Sequence, residues 1–585
     1  MTSLWTAEDK IPISQKSISI PSSNGLEYGA GQRIIIDVPS TVEYIQPKEC
    51  MLKFDVEISL PNGKRPTYLQ LDEVLGGQVL IKDLRVYSGG AGKILLEEYQ
   101  DYNVLTNVKY SYETTDTIRK KRALTEGSTY HSVKTRGTCG TTVSHKNALD
   151  ENPYFKNQVT SGVSTELDDT DYQKVKLTLP INTGIFQNSK VFPVMMTEGL
   201  TLDIILEDSN KVMRQLDQAR RLTRKQFCPV FHSVNGSTDV PDDLAEDTAT
   251  TEFFLANDNM INSVAQVPFC VGETVKFVKF SDGSAPTIDD AFQISQIDLQ
   301  NVDVGGRDVS LIKLTFDGAG GKVLAGQGDI TNGGTFGVVS AVCEDDSAYA
   351  PSYTVSNVEL LVQQLDMPQG YTKKMMSMMK EGGSMNYDFL SFTNYKHSQL
   401  STDLVSNIRL PLNMSRAKAI LSVPTDATNV SAGDRISGSG AYTWQNLTDS
   451  KDGVMRSDKT GLVGVIDNLQ EYQYFYDGKL NPSRKVDTSR TATQVSISQQ
   501  HLIELEKALS MSDVIPYSFK AFQENFVVGR ALGLHNGVYD TRGKDFNIQL
   551  EYTGSVAPSS NKLWMNFVAH IRRITFSGDG IRLGV

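Results

Sequence analysis

Alternation at period two dominates this sequence and limits what it can fold into. Leu52, Phe54, Val56 and Ile58 interleave with Lys53, Asp55, Glu57 and Ser59 before Pro61-Asn62-Gly63 ends the run. The pattern returns at Val175/Leu177/Leu179, at Leu200/Leu202/Ile204/Leu206 and at Ile408/Leu410/Leu412. It is cleanest near the end, at Phe546/Ile548/Leu550/Tyr552 and then Leu563/Met565/Phe567/Ala569/Ile571. One apolar and one polar face is what a half-buried antiparallel strand requires. Shorter β-branched runs at 33–38, 79–87 and 419–423 add further strands, so the chain reads as mainly β.

Helical spacing is confined to short stretches. Leu95, Tyr99, Tyr102, Leu105 and Val108 predict one helix, and Leu502, Leu505 and Leu509 predict another behind a Ser498 cap. A third runs over 372–380, with Met375, Met376 and Met379 on one side and Glu381-Gly382-Gly383 as a glycine stop. It lies between strand-like runs at 353–366 and 385–394 and therefore reads as a linker between two β units.

The 585 residues exceed the ~250–300 at which one core stops growing, so two or more cores are expected. The expected division is an N-terminal arm over 1–23, a first unit over 24–366, the linker helix over 367–382 and a second unit over 383–585. The first unit is too long for one sandwich. An insertion over about 222–352, rich in Gly, Asp and Thr, accounts for the excess, with short strands at 275–280 and 309–316. Its removal leaves two β units of similar size, each with room for the ~8 antiparallel strands of a jelly roll.

Charge and cysteine usage narrow the class. Lys and Arg number 57 against 69 Asp and Glu, a net charge of −12, which argues against coating nucleic acid by overall charge. Cys50, Cys139, Cys228, Cys270 and Cys343 are far apart and odd in number, as free thiols of a reducing compartment would be. The charged start MTSLWTAEDKIPISQ does not read as a signal peptide, and no segment holds the ~18 apolar residues of a membrane span. A soluble intracellular product is expected.

The search for chemistry assigns no catalytic, cofactor-binding or metal-ligating residue. Gly89-Gly90-Ala91-Gly92-Lys93 and Gly318-Ala319-Gly320-Gly321-Lys322 hint at phosphate loops. Tyr87 and Phe316 stand where the first glycine belongs, and Ile94 and Val323 replace the Ser or Thr after the lysine. Both read as hairpin turns. His131, Cys139 and His145 share a polar loop without metal-ligand spacing. The acidic run from Asp242 to Asp247 lacks the pattern of a calcium loop. Arg119, Lys120, Lys121 and Arg122, and a second cluster at Arg220, Arg221, Arg224 and Lys225, read as solvated loops or subunit contacts. Asn235, Asn413, Asn429 and Asn446 match the glycosylation pattern but are expected to go unused.

The order of segments carries a resemblance. Tyr28-Gly-Ala-Gly-Gln-Arg-Ile-Ile-Ile-Asp-Val-Pro39 followed by Met51-Leu-Lys-Phe-Asp-Val-Glu-Ile58 resembles the first strands of double jelly-roll major capsid proteins of the virophage and polinton-like group of eukaryotic double-stranded DNA viruses. Ile81 to Tyr87 leading into Glu97 to Tyr102, then 353–366, the Met-rich helix, 404–424, 472–479 and the terminal 562–585, are similar to later segments in the same order. The resemblance implies two consecutive eight-stranded jelly rolls per chain and homotrimers whose six rolls form a pseudo-hexameric capsomer. Its implied partners are neighbouring capsomers, penton proteins and minor capsid proteins in an icosahedral virion shell built inside the host cell. Sequence-specific DNA binding, cofactors and enzymatic activity are not implied. The main rival is a spike or penton-type jelly roll that binds host glycans, with Trp444 as its one candidate platform. A glycan hydrolase would need paired carboxylates facing one cleft, and no segment recommends them.

Overall fold

The computed structural model describes residues 14–59, 69–128, 175–215, 352–426, 462–488, 499–517 and 525–584, apart from a few positions inside those spans, together with six strands between 228 and 340. The first unit opens with β1 (Ser14–Pro21), β2 (Arg33–Val38), β3 (Met51–Ser59), β4 (Ile81–Ser88), β5 (Leu95–Tyr99), β6 (Val175–Pro180) and β7 (Leu200–Leu206). There follow β8 (Cys228–Phe231), β9 (Glu252–Leu255), β10 (Thr274–Phe280), β11 (Thr287–Val304), β12 (Arg307–Asp317) and β13 (Thr335–Ser340), and β14 (Ser352–Asp366) ends the unit. The second unit comprises β15 (Ser384–Gln399), β16 (Val405–Leu410), β17 (Ala417–Asp426), β18 (Leu469–Tyr476), β19 (Lys479–Asp487), β20 (Val528–Ala531), β21 (Phe546–Tyr552) and β22 (Lys562–Ser577), with β23 (Gly580–Gly584) folded back on β22.

The strand order identifies the architecture. The first unit pairs β1-β14-β3-β6 in one sheet and β2-β7-β4-β5 in the other. The second pairs β15-β22-β17-β20 and β16-β21-β18-β19. Numbered one to eight within its unit, each set reads 1-8-3-6 facing 2-7-4-5, the jelly-roll order. The chain is a double jelly roll. Register follows from the alternation: Leu52 stands opposite both Leu360 and Leu179, so apolar side chains line up across three strands. Where two or more separate cores are expected from length, the buried apolar residues of both rolls form one continuous cluster.

The insertion is a closed six-stranded barrel, β8-β9-β12-β11-β10-β13, set between the seventh and eighth strands of the first roll. Among the described residues, four helices of ten or more residues connect or flank the sheets of the two rolls. α1 (Tyr102–Glu113) and α2 (Asp116–Thr125) lie between β5 and β6, α3 (Gln369–Lys380) joins the rolls, and α4 (Gln499–Met511) lies between β19 and β20. The α3 linker buries Met375 and Met379 but leaves Met376 exposed. It stops where Gly382 takes a φ of +82°, while the N–H groups of Gly382 and Gly383 bond back to the carbonyls of Met379 and Met378.

Three expectations are corrected. Residues 14–21 are not an arm: Ile18 and Ile20 stand opposite Val362 and Leu360, so β1 is the edge strand of the first sheet. The helical spacing from Leu95 misleads, because Leu95–Tyr99 pairs with β4 as a strand and the helix starts at Tyr102. An apolar pair four residues apart fits both periods at so short a length. Arg119, Lys120, Lys121 and Arg122 lie on α2, capped by the Thr115 hydroxyl, not on a loop. The Ser498 cap lies outside the described residues.

Candidate assembly interface

The most elaborate polar geometry lies where the rolls meet. The first roll contributes β5, α1 and the connection 181–199; the second contributes β15, β22 and the residues flanking α4. α1 is buried on nearly every side because it is enclosed by both rolls. The Tyr112 hydroxyl donates to the Asn525 carbonyl at 3.0 Å, and the Tyr517 amide donates to the Tyr112 carbonyl at 2.9 Å. The Asn525 side chain reaches Asn107 and Ser111, both at 3.3 Å. Asp101, at a φ of +52°, takes Lys396 and Asn394 of the second roll at 2.7 Å each.

The 181–199 connection supplies the closest approach. A Cβ on Gly184 would stand 1.8 Å from the Leu390 carbonyl oxygen, so only glycine admits the second roll here. The Asn188 side chain donates to the Asp388 carbonyl at 3.0 Å. Phe192 meets Tyr387 edge-on at 5.1 Å and Phe576 at 6.2 Å.

Beneath these contacts sits a buried acid. Glu97 accepts from the amides of Gly184 at 2.8 Å and Ile185 at 3.0 Å, and from the hydroxyls of Ser391 and Tyr99. Burial raises its pKa, and these hydrogen bonds pull it back part of the way. Arg572, whose pKa burial lowers, reaches the Leu95 carbonyl at 3.5 Å. On the same strand burial pushes His570 down to about 4, which leaves a neutral imidazole at pH 7. None of Gly184, Glu97, Asn525 and Arg572 stands out in the sequence. The one local signal is the acidic pair Glu97-Glu98 inside an otherwise apolar strand.

The residues singled out from sequence are scattered. Gly89, Gly90 and Lys93 lie between β4 and β5, where Gly90 has a φ of +75° and Lys93 reaches Thr201 at 3.1 Å and Asp37 at 3.6 Å. Arg122 lies 3.4 Å from the centre of the Tyr110 ring and 3.8 Å from Glu126. Asn413 is exposed. Cys50 is buried, and that burial pushes its thiol up to about 11. Gly318 to Lys322, His131, Cys139, His145, Asp242 to Asp247, Arg220 to Lys225, Asn235, Asn429, Asn446 and Trp444 lie outside the described residues. Among the described residues no three His, Cys, Asp or Glu side chains converge as a metal site, and no helix is long and apolar enough to cross a membrane.

No family model and no curated protein matches the chain. Solved structures do. The Faustovirus major capsid protein aligns over 98% of this chain and 92% of its own, at 8% identity and a TM-score of 0.48. The Sputnik virophage structure aligns over 100% and 91% (9% identity, TM-score 0.43), and the mavirus major capsid protein over 99% and 93% (9% identity, TM-score 0.37). The strand order fixes the double jelly roll without them.

Chemically the junction can do one thing well. Aromatic edges, a buried hydrogen-bonded acid and a glycine-only contact hold two rolls in a fixed relation, and the faces left over are the obverse of those consumed. β15 buries Met385, Tyr387, Phe389 and Phe392, whereas its counterpart β1 has no fully buried residue. β5 is largely buried, whereas its counterpart β19 is mostly exposed. Leu480 on β19 is 51% exposed and Ile503 on α4 is 49% exposed.

Proposed function

We propose that this chain is the major capsid protein of a double-stranded DNA virus or virus-like element, and that it assembles as a homotrimer of six jelly rolls. The observation that carries this reading is the complementary exposure of the two rolls. Inside one chain the β5/α1 side of the first roll meets the β15 side of the second. Left open are the β1 side of the first roll and the β19/α4 side of the second, which are the same two surfaces one roll further on. A head-to-tail contact of that kind closes into a ring when its rotation allows. Three chains give six similar wedges and a near-hexagonal outline able to tile a facet.

The role is structural. The rolls form the wall, the barrel between β7 and β14 projects from one end, and neighbouring capsomers, penton proteins and minor capsid proteins meet the flanks in the virion. A net charge of −12 suits a shell that leaves genome compaction to other components.

Size-exclusion chromatography with light scattering tests the reading. A trimer that survives dilution is expected, and a stable monomer overturns it. Leu480→Asp combined with Ile503→Asp is expected to leave a folded monomer. Hexagonal particles in negative-stain images would complete the test.

A further inference from the structure

Between α2, β6 and the start of β15 lies a cavity of about 800 Å³ that spans the roll–roll junction within one chain. Its charges do not cancel as a count suggests. Asp388 is already held by Arg573 at 2.7 and 2.9 Å and by Arg416 at 3.3 Å. Asp513 has Lys418 at 3.4 Å, and Glu126 has the Tyr110 hydroxyl at 2.9 Å and Arg122 at 3.8 Å. Three cations of the lining remain: Lys48, Lys109 and Lys121, none with a carboxylate in ion-pair range among the described residues.

Lys109 is the most telling of the three. It is half-buried on the otherwise enclosed helix α1, and its ammonium lies 4.6 Å from the centre of the Phe392 ring. A ring face offsets only part of the desolvation of an ammonium group. Burial accordingly lowers its pKa while the charges of Glu113, Glu97 and Asp513 raise it, and burial likewise raises that of Glu113, one turn away, against the pull of Lys109 and Arg122. An incoming anion would therefore meet three lysines with no carboxylate in ion-pair range among the described residues, opposed in the lining chiefly by Glu113.

We propose that this cavity binds a compact, multiply charged phosphate anion, held by Lys48, Lys109 and Lys121 across the junction of the two rolls. The choice of phosphate follows from the donors. Ammonium groups act as point charges that can gather around the several oxygens of a compact polyanion, while the cavity's arginine, whose planar fork matches carboxylate and phosphate alike, is engaged over Tyr110. Lys48, Lys109 and Lys121 belong to the first roll, whereas Phe389, Phe392 and Asp513 on the facing wall belong to the second. Occupancy therefore stabilises the closed junction, because a ligand bound only to the folded form raises its stability. The site lies within one chain and does not depend on the trimer.

Isothermal titration of the full chain with inorganic tripolyphosphate at low salt tests the assignment, with citrate as the carboxylate comparison. Saturable binding of one tripolyphosphate per chain is expected, at least tenfold tighter than citrate and accompanied by a rise in Tm. Lys109→Met with Lys121→Gln is expected to weaken it at least tenfold. Should that variant fail to fold, Lys48→Gln with Lys121→Gln, both at exposed positions, is expected to weaken it at least threefold. Absence of saturable heat, equal affinity for citrate, or undiminished affinity in the folded variants overturns the proposal.

Discussion

The two rolls share one strand order and differ in what covers them. β15 runs between its partner β22 and the first roll and buries four large apolar side chains, while β1 faces outward with Gln15, Lys16, Ser17 and Ser19 exposed. The connections differ in the opposite sense. The first roll carries a whole barrel between its seventh and eighth strands, where the second passes from Tyr552 to Lys562. One architecture thus serves two ends: the second roll gives up surface to the internal junction, and the first gives up compactness to an insert. Two rolls of one order can differ in this way because the sheet order depends on the inward-facing rows, which both keep.

The sharpest way to break the comparison is at Gly184. Gly184→Val drives a side chain into the Leu390 backbone, and neither partner can withdraw without parting the rolls. The expected loss exceeds about 3 kcal/mol. Calorimetry should then show two separate transitions in place of one; a single unchanged transition would show the rolls to be coupled elsewhere. Phe192→Ala removes the aromatic that meets both Tyr387 and Phe576 and is expected to cost about 3–5 kcal/mol, read by chemical denaturation.

Acid should weaken the second roll before the first. Burial holds His570 down to about 4 and His501 down to about 3. Both folded-state values lie below the unfolded value near 6.5, so the unfolded chain binds more protons beneath that pH. The stability they contribute is complete above pH 6.5 and is lost as pH falls toward the folded values. By pH 4 the loss reaches about 3 kcal/mol for each histidine. His570→Gln and His501→Gln should flatten Tm against pH between 6.5 and 4; an unchanged slope would assign the acid sensitivity to carboxylates instead. The smallest effect on folding is expected on the open side of the second roll, where Leu480→Asp should change monomer stability by no more than about 0.5 kcal/mol while altering the oligomer.

How much can be read from sequence depends on the reach of each signal. Alternation is local and strong, so β3, β7, β21 and β22 are visible residue by residue, as is the glycine stop of the linker helix. The helix expected from Leu95 fails because five residues of an apolar strand next to a true helix share its spacing. The junction is a different matter. Gly184 matters because of Leu390, and Asn525 because of Asn107, pairs separated by hundreds of residues. Their types are ordinary for loops and strand ends, and nothing in their neighbourhoods sets them apart. Pairing in space, not composition, makes them consequential, and a single sequence holds no record of it.

The Tyr353 hydroxyl bonds the Glu207 carbonyl at 2.5 Å, one residue into β14 and one beyond β7. The chain therefore leaves the first roll and re-enters it through a gap that the roll itself clasps shut. For a protein engineer this is a socket with its own latch. The roll requires only that the two chain ends meet at that latch, since the entropy of closing a loop grows slowly with its length. A foreign domain whose termini lie close together could replace the barrel and be displayed at a fixed point on the roll, with both sheets undisturbed.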